Sequence, residues 1–109
     1  MPEVGGVAYL ALCRDNPACN SGAIRAAELQ AHLDYVATLG GQLLLGGPLR
    51  LGGNEHYNAS LFIYDVDSPR SARELLEGDP YFRAQLYAEI TLAEFTPARG
   101  RWLTELLQN

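Results

Sequence analysis

The chain has 109 residues, 48% of them hydrophobic and 19% charged, a balance that suits one globular domain over residues 1 to 109 and excludes a disordered segment. Eight Lys and Arg against thirteen Asp and Glu leave a net charge of −5, with no basic stripe, so nucleic acid is not an expected partner. No apolar stretch approaches the ~20 residues of a bilayer span, and "MPEVGG" lacks the charged start and apolar run of a leader; a soluble, cytoplasmic protein without membrane contact is expected.

In chain order, "GVAYLALC" (residues 6 to 13) stops before the turn-rich "RDNPACNSG" and reads as a first strand, apolar on both faces. Ser21 or Asn20 then caps a helix running to about Leu39, where Gly40 and Gly41 offer the left-handed residue that ends it. "QLLLGG" (42 to 47) is a second strand, and Pro48 with Gly52 and Gly53 marks a long, mobile connection to a third, "ASLFIYDV" (59 to 66). Ser68 and Pro69 start a second helix that Gly78 ends. Asp79 and Pro80 repeat the cap signal for a short turn over Tyr81 to Gln85. A fourth strand, "AEITLAEF" (88 to 95), and a C-terminal helix from Thr96-Pro97 to near Leu107 complete the chain.

This order, βαββαβ plus one helix, predicts an α+β, ferredoxin-like fold with both helices on one face of the sheet. Yet neighbours such as Tyr9 and Leu10, or Leu61 and Phe62, put apolar side chains on both faces. An uncovered apolar face is an association site, and two-fold self-association is its commonest cover, so a homodimer through the sheet faces is expected.

On the first helix Leu29, Leu33, Val36 and Leu39 or Gly40 form an apolar stripe with His32 at its edge, facing the seam between helix and sheet. Arg25, about two turns earlier, lies near the same face. A carboxylate beside an imidazole orients it and fixes its tautomer for proton transfer, which makes His32 and Asp79 the candidate catalytic residues. The ordinary alternatives are a half-buried histidine bonded to a backbone carbonyl and an aspartate that only caps a helix. Tyr81 and Tyr87 flank Asp79 and offer phenolic hydroxyls to a ligand, although aromatic rings there also close cores. Ser60 is a hydroxyl on an apolar strand; without a G-x-S-x-G elbow it is no nucleophile.

Other features are bland. "LLLGGPLRLGG" lacks the ending of a phosphate loop. His56 sits in a polar loop, and Arg70 with Glu74 gives modest helical support. Cys13 and Cys19 have no metal-like spacing, and Cys13 suits the core. Neither a metal nor a cofactor is expected.

The segments "AHLDYVATLGGQLLLGGPL", "NASLFIYDVDS" and "ARELLEGDPYFRAQLYAEITLAEF" together resemble the YCII-related family across a core of about residues 6 to 95, with 96 to 109 a helical extension. The resemblance implies a ferredoxin-like fold assembled as a dimeric α+β barrel, and a pocket with a histidine and an aspartate at His32 and Asp79. The family is similar to muconolactone isomerases and includes a dehydrochlorinase acting on chlorinated hydroxyhydroquinones, which implies small cyclic or aromatic oxygenated substrates. Leu29 stands near the histidine where many members carry arginine, and Arg25 is the candidate to supply that charge.

The leading expectation is therefore a cofactor-independent enzyme of lyase or isomerase type. In it His32 moves a proton, Asp79 orients the ring, and Arg25 or Ser60 stabilises an enolate or phenolate oxygen. The rival expectations are a non-catalytic small-ligand-binding or accessory protein and a cofactor-free oxygenase on the same barrel.

Overall fold

In the computed structural model, which describes residues 7 to 102, β1 (Ala8–Asp15) and β3 (Ala59–Tyr64) form the centre of a four-stranded antiparallel sheet. The edge strands are β2 (Leu43–Leu49) beside β3 and β4 (Tyr87–Phe95) beside β1. α1 (Ser21–Thr38) joins β1 to β2, while α2 (Pro69–Glu77) and the short α3 (Pro80–Arg83) join β3 to β4. Each helical connection skips one strand, which is the split arrangement of a ferredoxin-like α+β fold. Helical backbone resumes at Arg101 and Trp102; the rest of the expected C-terminal helix lies outside the described residues.

Local chemistry sets the boundaries. Asn20, rather than Ser21, caps α1 by accepting from Ala23 N at 3.1 Å, and Ser68 caps α2 by accepting from Ser71 N at 3.0 Å. Gly40 has φ 57°, the left-handed conformation expected after α1. Gly78 differs, because its φ is −79°. It is needed for space: a Cβ there would lie 2.5 Å from the Tyr35 hydroxyl, which donates to Leu75 O at 2.6 Å and ties α1 to α2.

Two expectations about strands change. β1 runs on to Asp15, whose N–H donates to Asn58 O at 2.9 Å, so the sheet takes in part of the segment expected to turn. β2 includes Pro48 and Leu49, tolerable for proline because β2 is an edge strand. The connection that follows, expected to be mobile, is closed by Asn58: its side chain accepts from Leu51 N at 2.8 Å and donates to Leu51 O at 3.1 Å.

Tyr9, Ala11 and Cys13 of β1 and Phe62 and Tyr64 of β3 form the buried core with Ala72 and Leu76 of α2. Tyr35 of α1 and Phe82 of α3 pack on its margin, so all three helices lie on this face. The opposite face pairs Leu10 with Ile63 and Leu12 with Leu61, all half-buried, and also presents Leu45 and Phe95, 43% and 39% exposed. Alternation alone makes both faces apolar.

Candidate functional site

α1 presses only the end of its apolar stripe, Leu39, into the core. Leu29 and Leu33, expected to face the sheet, remain 47% exposed, because a cavity of about 420 Å³ separates this part of α1 from β2 and β3. Leu29, Leu33 and Leu43 line it together with Pro48 and Phe62. Gly46 lets the Phe62 ring lie against β2, since a Cβ there would meet that ring at 2.8 Å. Arg25, His32, Ser60 and Tyr81 complete the wall with the polar groups.

His32 and Asp79 meet. Nδ1 of the imidazole lies 2.9 and 2.8 Å from the two carboxylate oxygens of Asp79, with the side chains 13% and 1% exposed. A carboxylate accepts, so Nδ1 carries the proton in this tautomer. Oδ1 of Asp79 also accepts from Tyr81 N at 2.9 Å, the N-cap contact of α3. Asp79 is thus both a cap and the holder of the imidazole. Tyr81 stacks on the ring, with centroids 4.2 Å apart and planes 13° from parallel. With Nδ1 engaged and one face covered, Nε2 is the nitrogen left for a ligand in the cavity.

A second polar group stands beside the first. Arg25 donates from Nε to Asp15 Oδ2 at 3.0 Å and from Nη2 to Asp15 Oδ1 at 2.7 Å. Nη2 also contacts Ala59 O at 3.0 Å and Ser60 Oγ at 3.2 Å, and Tyr87 donates to Ser60 Oγ at 3.0 Å. Burial works against the Arg25 charge, but the Asp15 hydrogen bond and charge outweigh it and raise the guanidinium above its ordinary value. Burial raises the Tyr81 phenol, and it raises Tyr87 strongly despite the opposing Ser60 hydrogen bond. Both therefore stay protonated at neutral pH, as donors.

Of the six residues singled out in the sequence, four line the cavity, Arg25, His32, Ser60 and Tyr81; Asp79 reaches it through His32 and Tyr87 through Ser60. Asp15 was missed, read as part of a turn. Its signal was parity: Tyr9, Ala11, Cys13 and Asp15 alternate onto one face, so the strand ends with an inward carboxylate. Among the described residues no cluster of three His, Cys, Asp or Glu forms a potential metal site, and no helix is long and apolar enough to cross a membrane.

Known proteins share this framework. The 5-chloro-2-hydroxyhydroquinone dehydrochlorinase of Burkholderia phenoliruptrix, solved with 2,5-dihydroxybenzoquinone, is 26% identical at a TM-score of 0.68, over 79% of this chain and 90% of that one. A cofactor-independent oxygenase from Streptomyces nogalater is 13% identical at a TM-score of 0.50, over 87% and 95%. An uncharacterized NIPSNAP domain protein from Burkholderia xenovorans is 14% identical at 0.50, over 85% and 95%. At such identities the last two show the fold alone. No curated protein sequence matches the chain. The YCII-related domain model matches residues 7 to 96, from the start of the sheet to just past its last strand, and the chain belongs to that family.

Proposed function

We propose that this protein is a small-molecule enzyme of lyase or isomerase type that moves a proton on a small cyclic or aromatic oxygenated compound without a cofactor. The observation that carries the reading is the imidazole of His32, held at Nδ1 by both oxygens of Asp79 while its ring lines the cavity. In this role Nε2 takes a proton from the bound compound and returns it at another atom or to a leaving group, and Asp79 positions the ring and stabilises the imidazolium. Arg25 faces the oxygen on which negative charge develops, and the apolar wall of Leu29, Leu33 and Phe62 receives the ring. The likeness to a dehydrochlorinase solved with a dihydroxybenzoquinone supports that choice of compound.

The same reading includes a homodimer. The face bearing Leu10, Leu12, Leu61 and Ile63 is apolar and lies opposite the helices; a second copy presenting the same face covers it and closes an α+β barrel.

The experiment is solvent deuterium exchange into hydroxyquinones and hydroxyhydroquinones, followed by NMR, with oxygen uptake measured in parallel. Exchange that needs His32 and consumes no oxygen supports the reading. Saturable binding without exchange or turnover favours a binding protein, and oxygen consumption favours an oxygenase.

A further inference from the structure

The hydrogen bonds around Ser60 leave one proton over. Its Oγ receives an N–H from Arg25 at 3.2 Å and shares a hydrogen bond of 3.0 Å with the Tyr87 hydroxyl. Arg25 has only protons to give. The contact between the two hydroxyls uses one of their two protons, and the other has no acceptor among the described residues. Tyr87 donates in that contact, so the unused proton belongs to Ser60. Ser60 is 2% exposed and forms part of the cavity wall. With its Cβ and two accepted hydrogen bonds fixing three directions, the fourth is where its O–H points. A buried donor without an acceptor is costly unless a ligand satisfies it.

Arg25 Nη1 has the same character. Nε and Nη2 are committed to Asp15, Ala59 O and Ser60; Nη1 donates no hydrogen bond among the described residues, and Arg25 lines the cavity. We infer that Arg25 Nη1 and the Ser60 hydroxyl form a two-donor cradle for an oxyanion, aimed by Asp15 and Tyr87, through which the cavity selects the ionised form of an enol or phenol over its neutral form. The inference rests on the proposed small-molecule site and names the ionisation state that it takes. Asp15 and Tyr87 are positioning residues: the carboxylate fixes the guanidinium through two bonds, and the phenol turns the serine proton away from itself. Because Asp15 cancels much of the Arg25 charge at longer range, selection comes from hydrogen bonds at contact distance, where a donor to an anion is strongest.

Para-nitrophenol is a direct probe, since only its phenolate is yellow. Bound to the wild-type protein it ionises at a pH lower by about one unit or more, corresponding to about tenfold or greater preference for the phenolate. Ser60→Ala, checked for folding by circular dichroism, loses at least half of that shift. Tyr87→Phe, which frees a lone pair on Ser60 and lets its hydroxyl turn, loses part of it. In His32→Gln a shift that persists assigns the preference to the cradle, and one that vanishes assigns it to the imidazole and overturns the inference, while the proton-transfer reading fails or survives on deuterium exchange. Ionisation of the bound probe at its solution pH, the absence of binding to the wild type, or an unchanged shift in folded Ser60→Ala overturns the inference.

Discussion

Asp79 contacts His32 Nδ1 through both carboxylate oxygens, at 2.9 and 2.8 Å, while the same carboxylate caps α3 at the Tyr81 N–H. The cap holds the carboxylate in place, and the held carboxylate sets the imidazole. A change that keeps the cap and removes the anion therefore separates folding from chemistry.

Asp79→Asn is that change. Asparagine caps as well as aspartate, so thermal unfolding shifts by only a few degrees. The imidazole loses its anionic partner, and exchange on a responsive substrate falls by about 10²-fold or more. Asp79→Ala removes the cap as well and costs about 1 kcal/mol or more of stability. Urea unfolding of both variants beside the exchange rates checks the distinction.

Gly78→Ala tests the close approach behind the site. The new methyl meets the Tyr35 hydroxyl, breaks its 2.6 Å bond to Leu75 O, and destabilises by about 1–3 kcal/mol in denaturant titration. The neighbouring Asp79 shifts with it, so the loss of activity exceeds that of a remote variant of equal stability.

High pH should unfold the protein through its core. Burial, helped by the Asp79 charge, pushes the Cys13 thiol from its ordinary 9.0 to about 12, and burial raises Tyr64 and Tyr87 above the phenol range. For each, the folded value lies above the unfolded one, so the unfolded chain releases its proton first. The stabilisation is complete below the unfolded values and is lost as pH rises from about 9 toward 12. The urea midpoint falls over that window, and Cys13→Ala flattens the part owed to the thiol. At neutral pH a thiol reagent reaches half-buried Cys19, while buried Cys13 reacts only on unfolding.

The proposed dimer has its own test. Leu12 and Leu61 are direct partners on the face opposite the helices, and Leu12→Glu with Leu61→Glu places charges at the centre of the expected contact. Light scattering should change from a dimer mass for the wild type to a monomer mass for the double variant. A monomeric wild type at micromolar concentration contradicts the dimer.

The order of elements was legible because each boundary carries its own chemistry: Asn20 and Ser68 as caps, Gly40 in a left-handed turn, and Asp79-Pro80 opening α3. The pairing of His32 with Asp79, 47 positions apart, was inferred from what the two groups can do together, since spacing says nothing of distance across a fold. Asp15 was obscured by the turn-forming residues after it, although strand parity pointed inward. The stripe on α1 was legible as apolar but not as a cavity wall: periodicity reports which face avoids water, and an unfilled pocket and a packed core ask for the same leucines.

The geometry of the site requires that Asp79 hold His32 with Nδ1 protonated and Nε2 free for a ligand. A long-range proton–nitrogen NMR spectrum of the neutral ring tests it directly, with His56 as reference, before and after addition of 2,5-dihydroxybenzoquinone. The expected result is a protonated Nδ1 and an unprotonated Nε2 for His32, a tautomer weakened in Asp79→Asn, and a ligand-induced change at Nε2. A protonated Nε2 in the wild type, or a His32 signal indifferent to both Asp79→Asn and the quinone, contradicts it.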